Sequence, residues 1–530
     1  MMATSEMNEQ PADLLGKPER TPLTPEEKAF ILWLDETRTR DEILAELKAN
    51  LQIAIQIELA TIPIYLFTYY SLLRTNDSGA EIGEAQLYAN KAGGVIMSVA
   101  VEEMLHMSLS SNILFAMGVA PQLYGMAPGA YPASLPYHHP EGPDGKPVDI
   151  PLAKLSFEQL WRFLEIEYPE DQGTLPKDRN WTTIGQFYSY IRCLLQTRFV
   201  TDADFQVGAS ASAIQPYNYS PNNVDTVYPG RGFDPWRPAP PAPRPRWADD
   251  APGASEVAEF PDTDDNFVGE SALLCIHSRK DAADAIDTIC DQGEGCPVLG
   301  VGARPDPNAV EETEPTKDED SHYMKFLKLQ AQFAEYAGCT EKLPARPTPP
   351  EPILPAVTQA ELIAAGLLCD FPDNPLNADY PDGYRSIAEF NSALFQYMLI
   401  MTETIYRVPP RSQKLFFNEG LHRSMIWVMD KYIRTIRGIP IPSGPYRGKV
   451  MAPTFENVDL GRPADSFAGL TRFGNAAIDA ANAIAEANPN SDLASSMGNV
   501  VYYIGVALTR TDGSAPMHLP DVGPFWINAG

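Results

Sequence analysis

Residues 51–73 read LQIAIQIELATIPIYLFTYYSLL. The stretch is apolar almost all round, which predicts a helix that is buried on every side rather than on one face. Its one charged residue is Glu58, near the middle. Because burying an unpaired carboxylate is costly, a glutamate at this place predicts a functional role.

A second stretch has the same character and carries more ionisable groups. Residues 91–118 read KAGGVIMSVAVEEMLHMSLSSNILFAMG and predict another buried helix, with Gly118 as its stop. Glu103 and His106 are three residues apart, so both side chains lie on one face and can reach one metal ion. Glu102 points elsewhere on the helix, and we interpret it as a partner of a ligand rather than a ligand.

A bundle site for two metals needs a glutamate from each of two helices and a Glu-x-x-His pair from each of the other two. The second such pair is Glu319 and His322, in the sequence DEDSH, and the preceding helical segment ends near Glu294. Four carboxylates and two imidazoles suit two divalent first-row ions; iron is expected with dioxygen as co-substrate, and manganese satisfies the same donors. The predicted metal ligands are Glu58, Glu103, His106, Glu294, Glu319 and His322, and all but Glu294 are also predicted catalytic residues.

Three alternatives stay open at this point. Glu419 and His422 form a third Glu-x-x-His pair, which competes with Glu319 and His322. Glu165 and Glu167 compete with Glu294, because the glycines on both sides of Glu294 disfavour a helix. The buried carboxylates and histidines could also form a polar network without metal.

The rest of the chain divides by composition. We predict an N-terminal extension over 1–40, a dimetal bundle over 41–340 with a crossover insertion at 119–277, and a C-terminal helical region over 341–530. The insertion is rich in proline and tyrosine, with two short helices inside it near 156–168 and 183–196. Bundle helices are predicted again near 280–291 and 318–337, and C-terminal helices near 386–406, 412–437 and 464–488.

Two helices, a long crossover and two more helices form the connectivity of a ferritin-like four-helix bundle. The blocks IELATIPIYLFTYYSL, VAVEEMLHMSLSSNILFAMGVAP, IDTICDQGEG, SHYMKFLKL and MAPTFE also resemble the ferritin-like family that includes iminophenylpyruvate dimer synthase and chromopyrrolate synthase. The resemblance runs in ordered blocks from about residue 41 to 456. It implies a ferritin-like fold and a role in secondary metabolism, and it supports Glu58, Glu103, His106, Glu294 and His322 as site residues. From the pattern of the whole chain we predict a mainly all-α fold, with a ferritin-like four-helix bundle, a long Pro-rich crossover and additional C-terminal helices. The long crossover departs from the pattern of the family's coupling enzymes.

Composition limits the partners. The 530-residue chain has a net charge of −30, which argues against nucleic acid or an anionic membrane surface as a partner. We expect no membrane-spanning segment and no signal peptide, and six scattered cysteines favour the reducing cytoplasm.

The leading hypothesis is a non-haem di-iron oxidase or oxygenase that acts on a small, amino-acid-derived metabolite. A second hypothesis is oxidative coupling of amino-acid-derived imines, which requires an amino-acid oxidase as partner; a homodimer is also possible. A third is ferroxidase or iron-binding activity.

Overall fold

The chain folds into helices joined by irregular segments. The computed structural model describes residues 23–74, 83–135, 149–168, 181, 183–205, 276–293, 321–338, 357–408, 428–508 and 519–527. Among these residues there are three isolated β-bridges and no strand. The helices are α1 (Pro25–Thr37), α2 (Arg40–Ser71), α3 (Glu84–Ala116), α4 (Phe157–Ile166), α5 (Ile184–Gln196), α6 (Arg279–Gly293), α7 (His322–Tyr336), α8 (Gln359–Ala364), α9 (Tyr384–Ile405), α10 (Asp430–Ile436), α11 (Ser466–Ala487), α12 (Asp492–Leu508) and α13 (Gly523–Ile527). The predicted all-α fold class is confirmed.

Two long helices, α2 and α3, form the centre of the bundle. They have 32 and 33 residues, and most of their side chains are buried on all faces, as the sequence predicts. A capping box between Thr39 and Glu42 starts α2, since each residue binds the backbone of the other. After α3 the chain turns at Gly118, which has a φ of 83°.

By length and hydropathy, α2 is the one helix in the described ranges that resembles a membrane span. However, 83% of its most apolar window is buried inside the protein. The helix also carries the buried Glu58 at its centre. A core helix of a folded bundle has these properties.

The third and fourth helix positions of the four-helix bundle are each occupied by two shorter helices instead of one long helix. We call each such position a column: α4 and α5 form the third column, and α6 and α7 form the fourth. Helices α4 and α7 pack antiparallel, because Phe157 contacts Phe333 at one end (ring centroids 4.5 Å apart) and Tyr168 contacts Tyr323 at the other (5.8 Å). Helices α5 and α6 pack on the opposite half and share an ion pair between Arg192 and Asp287. The chain therefore interrupts both columns at the middle of the bundle.

The crossover runs along α2 from its first half to its end. The backbone of Gln122 bonds to the side chain of Gln52, the Tyr131 hydroxyl donates to the Ala60 carbonyl, and the Thr68 hydroxyl donates to the Ala153 carbonyl. Residues 122, 131 and 153 thus contact residues 52, 60 and 68 in turn, so the crossover and α2 run in the same direction. The crossover thus returns the chain to the far end of the bundle, where α4 begins.

This arrangement differs from the predicted insertion at 119–277. The two short helices expected inside the insertion are α4 and α5, and they form the third column of the bundle. The sequence predicts both helices but not their place in the bundle, because each has only 10 or 13 residues, and two half-length helices do not show the pattern of one long bundle helix. The domain boundaries 1–40, 41–340 and 341–530 stay predictions.

The N-terminal and C-terminal helices pack on the bundle. Helix α1 contacts α5, with Glu27 near the Arg192 guanidinium at 3.5 Å. In the C-terminal region, α9, α11 and α12 pack together. The predicted helix 412–437 is described only in part, and that part contains α10. The sequence did not predict α12 and α13, which follow the last predicted helix. Two glycines in α12, Gly498 and Gly505, weaken its sequence signal.

Glu403 of α9 ties the C-terminal region to the crossover. Its carboxylate accepts hydrogen bonds from the backbone N–H groups of Leu123 (2.5 Å) and Tyr124 (2.7 Å). We expect Glu403→Ala to lower the free energy of unfolding by about 1–3 kcal/mol, because it leaves both donors without an acceptor. Glu403→Gln retains an oxygen acceptor and should cost less, and the exposed Glu486→Ala is the surface control. Urea unfolding would measure all three, and equal effects at Glu403 and Glu486 would contradict the prediction.

Candidate metal centre

Four helix ends meet where the third and fourth columns are interrupted. They are the last residues of α4 and α6 and the first residues of α5 and α7. Helix α7 begins at His322 because the side chain of Ser321 caps it by accepting from the backbone N–H of Met324. Helix α4 ends just before Glu167, and Pro169 follows two residues later, which disfavours further helix. Helix α6 ends at Gly293. These ends open the bundle beside the middle of α2 and α3.

Four of the predicted ligands converge at this level. Glu58, Glu103, His106 and His322 are all buried, with at most 4% of each residue exposed. The His322 Nδ1 atom lies 3.0 Å from Glu103 Oε1, and the His106 Nδ1 atom lies 3.8 Å from Glu58 Oε2. Ligand atoms of Glu103, His106 and His322 all lie within 4.8 Å of one another.

Glu167 joins this cluster from the end of α4. Its Oε2 atom lies 3.4 Å from His322 Nδ1, and the residue is 4% exposed. The neighbouring Glu165 is instead paired with Arg162 at 2.7 Å. The sequence predicted Glu167 only as an alternative to Glu294.

The other predicted ligands, Glu294 and Glu319, lie outside the described residues, as do the competing Glu419 and His422. The last described residue before Glu294 is Gly293. A Cβ atom on this glycine would lie 4.0 Å from both Glu167 Oε2 and His106 Cε1. The end of α6 therefore adjoins the cluster.

The described groups form two similar halves around Glu103. We call Glu58 and His106 the pocket-side pair, and Glu167 and His322 the inner pair. Each pair has one carboxylate and one imidazole whose Nδ1 atom faces it. The two imidazole rings stack with centroids 5.3 Å apart and an interplanar angle of 24°. Glu103 stands between the pairs, as a bridging ligand would.

Hydroxyl groups hold the three carboxylates from behind. The Tyr188 hydroxyl donates to Glu58, and the Tyr65 hydroxyl donates to Glu167. Thr61 donates to Glu103 Oε2 at 3.0 Å. Each carboxylate thus has one oriented oxygen and keeps the other for a further partner. Partners of this kind fix the orientation of metal ligands.

The far nitrogens of the imidazoles face different groups. His106 Nε2 lies 3.1 Å from the amide oxygen of Gln292. His322 Nε2 lies 2.9 Å from Glu102 Oε2, and the Lys325 ammonium lies 2.5 Å from the same oxygen. Glu102 thus contacts His322 from outside the cluster.

Burial and crowding shift the ionisation of these groups in opposite directions. Burial acts to raise the pKa of Glu103, but the adjoining Glu58 carboxyl and His322 imidazole outweigh it and lower this pKa to about 2. Burial, reinforced by the Glu103 charge, raises the pKa of Glu58 well above its usual range. Burial also raises the pKa of Glu167, despite the opposing effect of His322. Without metal, protons are therefore retained among the crowded carboxylates.

The two histidines also differ. Burial lowers the pKa of His106 to about 4. For His322 burial acts in the same direction, but the carboxylates of Glu167, Glu102 and Glu103 outweigh it and raise its pKa well above the usual range. A protonated His322 then supplies the positive charge that a metal ion would otherwise bring.

The residues present fit a metal centre. Both ring nitrogens of His322 are buried within 3.0 Å of carboxylate oxygens, yet neither makes an aligned hydrogen bond. Nitrogen and oxygen atoms that converge without hydrogen-bond alignment are what ligands around a shared cation show. Carboxylate and imidazole donors suit iron, manganese or zinc.

A cavity reaches the cluster between the start of α5 and the end of α6. Its empty volume is about 340 Å³, which includes space open to solvent. The walls combine ionisable groups of the cluster with small and apolar residues. They are formed by Glu58, Thr61, Glu103, His106, Glu167, Ile184, Gly185, Tyr188, Ile289, Cys290 and Gly293.

We expect Glu167→Ala to weaken metal binding, because it removes a carboxylate of the inner pair. The loss of affinity should exceed the roughly 10–100-fold that follows when only a hydrogen-bond partner of a ligand is removed. Glu165→Ala is the matched control, two residues away and paired with Arg162, and should leave metal content unchanged. Metal content after dialysis against a chelator of graded strength would test both. Loss of metal in the Glu165 variant but not the Glu167 variant would contradict the assignment.

Metal binding should also release protons. Because the pKa of His322 and that of Glu58 are raised in the metal-free protein, both groups hold protons that a metal must displace, and lower pH should weaken binding. We expect release of about one to two protons per chain near pH 7. Zn²⁺ titration calorimetry in two buffers with different ionisation enthalpies would count them, and no buffer dependence would disprove the expectation. His322→Ala should release fewer protons.

Comparison with known proteins bears on the domain that holds this cluster. A family model described as ferritin-like matches residues 51–228, which include Glu58, Glu103, His106 and Glu167. A crystal structure of a ferritin-like protein from Caulobacter vibrioides is similar, with 17% identity and a TM-score of 0.32 over 72% of this chain and 93% of that one. No curated protein matches the chain. Residues 51–228 thus resemble a ferritin-like domain, and most residues of the candidate metal centre lie within this range.

Proposed function

We propose that this protein is a di-iron oxidoreductase that acts on a small organic molecule. The observation that carries the proposal is the convergence of three carboxylates and two imidazoles in two similar pairs around Glu103. A buried cluster of this composition is costly without cations, and two divalent ions would neutralise it. Dioxygen is the proposed co-substrate, and manganese is the alternative metal for the same donors.

When bound, the two ions would supply the redox chemistry. The residues of the chain have the supporting tasks. Glu58 and His106 would hold one ion and Glu167 and His322 the other, with Glu103 available to both. Tyr188, Tyr65 and Thr61 orient the carboxylates through their hydroxyl groups. Burial of the cluster restricts the access of bulk water to the side of the cavity.

The chemistry of the cavity lining, rather than the size of the cavity, supports a small organic substrate over iron alone. Beyond the ligands, its walls include Ile184, Gly185 and Ile289, which offer apolar contact, with the Cys290 thiol beside them. Together with the sequence resemblance, this favours an amino-acid-derived metabolite and a role in secondary metabolism. The reducing cytoplasm remains the proposed location.

Two alternative functions compete with the proposed one. Oxidative coupling of amino-acid-derived imines rests on the resemblance to iminophenylpyruvate dimer synthase, and it would require an amino-acid oxidase as partner. Ferroxidase activity rests on the ferritin-like domain. The helical region beyond residue 357 disfavours a storage role, because a storage shell needs only the bundle.

Reconstitution under anaerobic conditions separates these functions. We expect two ferrous ions per chain and, on exposure to dioxygen, oxygen uptake that stops after about one oxidation of the pair unless substrate and a reductant are supplied. Elemental analysis and an oxygen electrode would measure this.

Repeated turnover of added ferrous iron, with mineral formation, would favour a ferroxidase instead. Absence of bound transition metal would exclude all three functions. Product analysis with an arylpyruvate imine, generated in situ by an amino-acid oxidase, would identify the coupling activity.

A further inference from the structure

We infer that the two metal positions are unequal: the inner pair holds its ion more tightly, and the pocket-side pair holds an exchangeable ion that meets the substrate. This inference rests on the proposed dimetal centre. It assigns Glu102 and Lys325 as positioning residues that act through His322.

The cavity contacts the two pairs unequally. Of the two imidazoles only His106 lines it, and of the two tyrosines that hold carboxylates only Tyr188 does. From the inner pair, Glu167 reaches the wall, whereas His322 is fully buried behind it. A ligand that enters the cavity therefore meets the pocket-side position first. Catalytic metal sites keep such an open position, and structural ones are closed.

The groups behind the two imidazoles also differ in charge. His106 Nε2 faces the neutral amide of Gln292, whereas His322 Nε2 faces the carboxylate of Glu102 at 2.9 Å. A carboxylate behind a ligating histidine raises the basicity of the ring and strengthens its bond to metal more than an amide does. The asymmetry therefore favours tighter binding by the inner pair.

Lys325 makes the buried carboxylate tolerable. It lies one turn after His322 on α7, is 2% exposed, and contacts Glu102 Oε2. An unpaired carboxylate at this place would be costly, and the ammonium offsets that cost. Its hold on Glu102 also fixes the oxygen that faces His322 Nε2. Lys325 and Glu102 thus set the direction and basicity of His322 without touching the substrate.

Anaerobic titration of the metal-free protein with Co²⁺ tests the inference without enzyme activity. We expect two binding steps, the first about 10–100-fold tighter than the second, each with its own visible absorption bands. His322→Ala should remove the tight step and His106→Ala the weak one. Two steps of equal affinity, or loss of the tight step in the His106 variant, would overturn the inference. Fewer than two ions in the wild-type protein would instead refute the proposed dimetal centre.

Substitutions of the residues behind the two imidazoles should change the two Co²⁺ affinities in opposite directions. Glu102→Gln should weaken the tight step by about 10–100-fold and shift its Co²⁺ bands, and Lys325→Met should also weaken that step. Gln292→Glu places a carboxylate behind His106 and should strengthen the weak step. Glu165→Gln, a buried carboxylate paired with Arg162, is the control and should change neither step. Equal weakening of both steps by Glu102→Gln would indicate a merely structural role and contradict the assignment.

Azide addresses access in the wild-type protein and needs no variant. Added to protein loaded with one Co²⁺, azide should leave the absorption bands unchanged, because His322 lies behind the cavity wall and only Glu167 of the inner pair reaches it. Added after the second equivalent, it should shift the newly formed bands. An azide-induced shift in the singly loaded protein would show that the tight position is the open one and would overturn the inference.

Discussion

The cost of placing several carboxylates together inside a helical bundle governs the organisation of this protein. Glu58, Glu103 and Glu167 lie around one point where little water can reach them. Three negative charges at this spacing repel one another, so protons or metal ions must neutralise them. In the metal-free protein His322 carries part of that positive charge, since the surrounding carboxylates raise its pKa. The same groups can accept ions because only protons need to leave.

The interrupted columns follow from the geometry that such a cluster requires. A continuous helix presents one or two side chains at a given level, as α3 does with Glu103 and His106. Helix ends add further groups at the same level: Glu167 comes from the end of α4 and His322 from the start of α7. They also leave a gap between the start of α5 and the end of α6, through which the cavity opens. Two long helices thus provide rigidity and four short ones provide ligands and access.

The sequence predicts the parts of this arrangement that depend on local pattern. Carboxylates within uniformly apolar stretches identified Glu58 and Glu103, and helical spacing added His106. His322 was identified through its pairing with Glu319, although in the described residues its contacts are with Glu102, Glu103 and Glu167. Glu167 had no comparable local signal, because it follows a ten-residue helix and enters the centre only through the packing of α4 on α7. Lys325 lacked one for the same reason: its contact with Glu102 joins residues 223 positions apart.

The C-terminal region contributes to the centre indirectly, by fixing the end of α2. The last carbonyl groups of a helix lack intrahelical partners. Here the Arg437 guanidinium donates to the Leu72 carbonyl at 2.9 Å, and the backbone N–H of Cys369 donates to the Ser71 carbonyl at 2.8 Å. A cation at this end also opposes the helix dipole. Because Glu58 and Thr61 both lie on α2, a shift of this helix along its axis would displace Glu58 and the hydroxyl that orients Glu103 together. The C-terminal region thus holds α2 in the register that places Glu58 and Thr61 at the cluster.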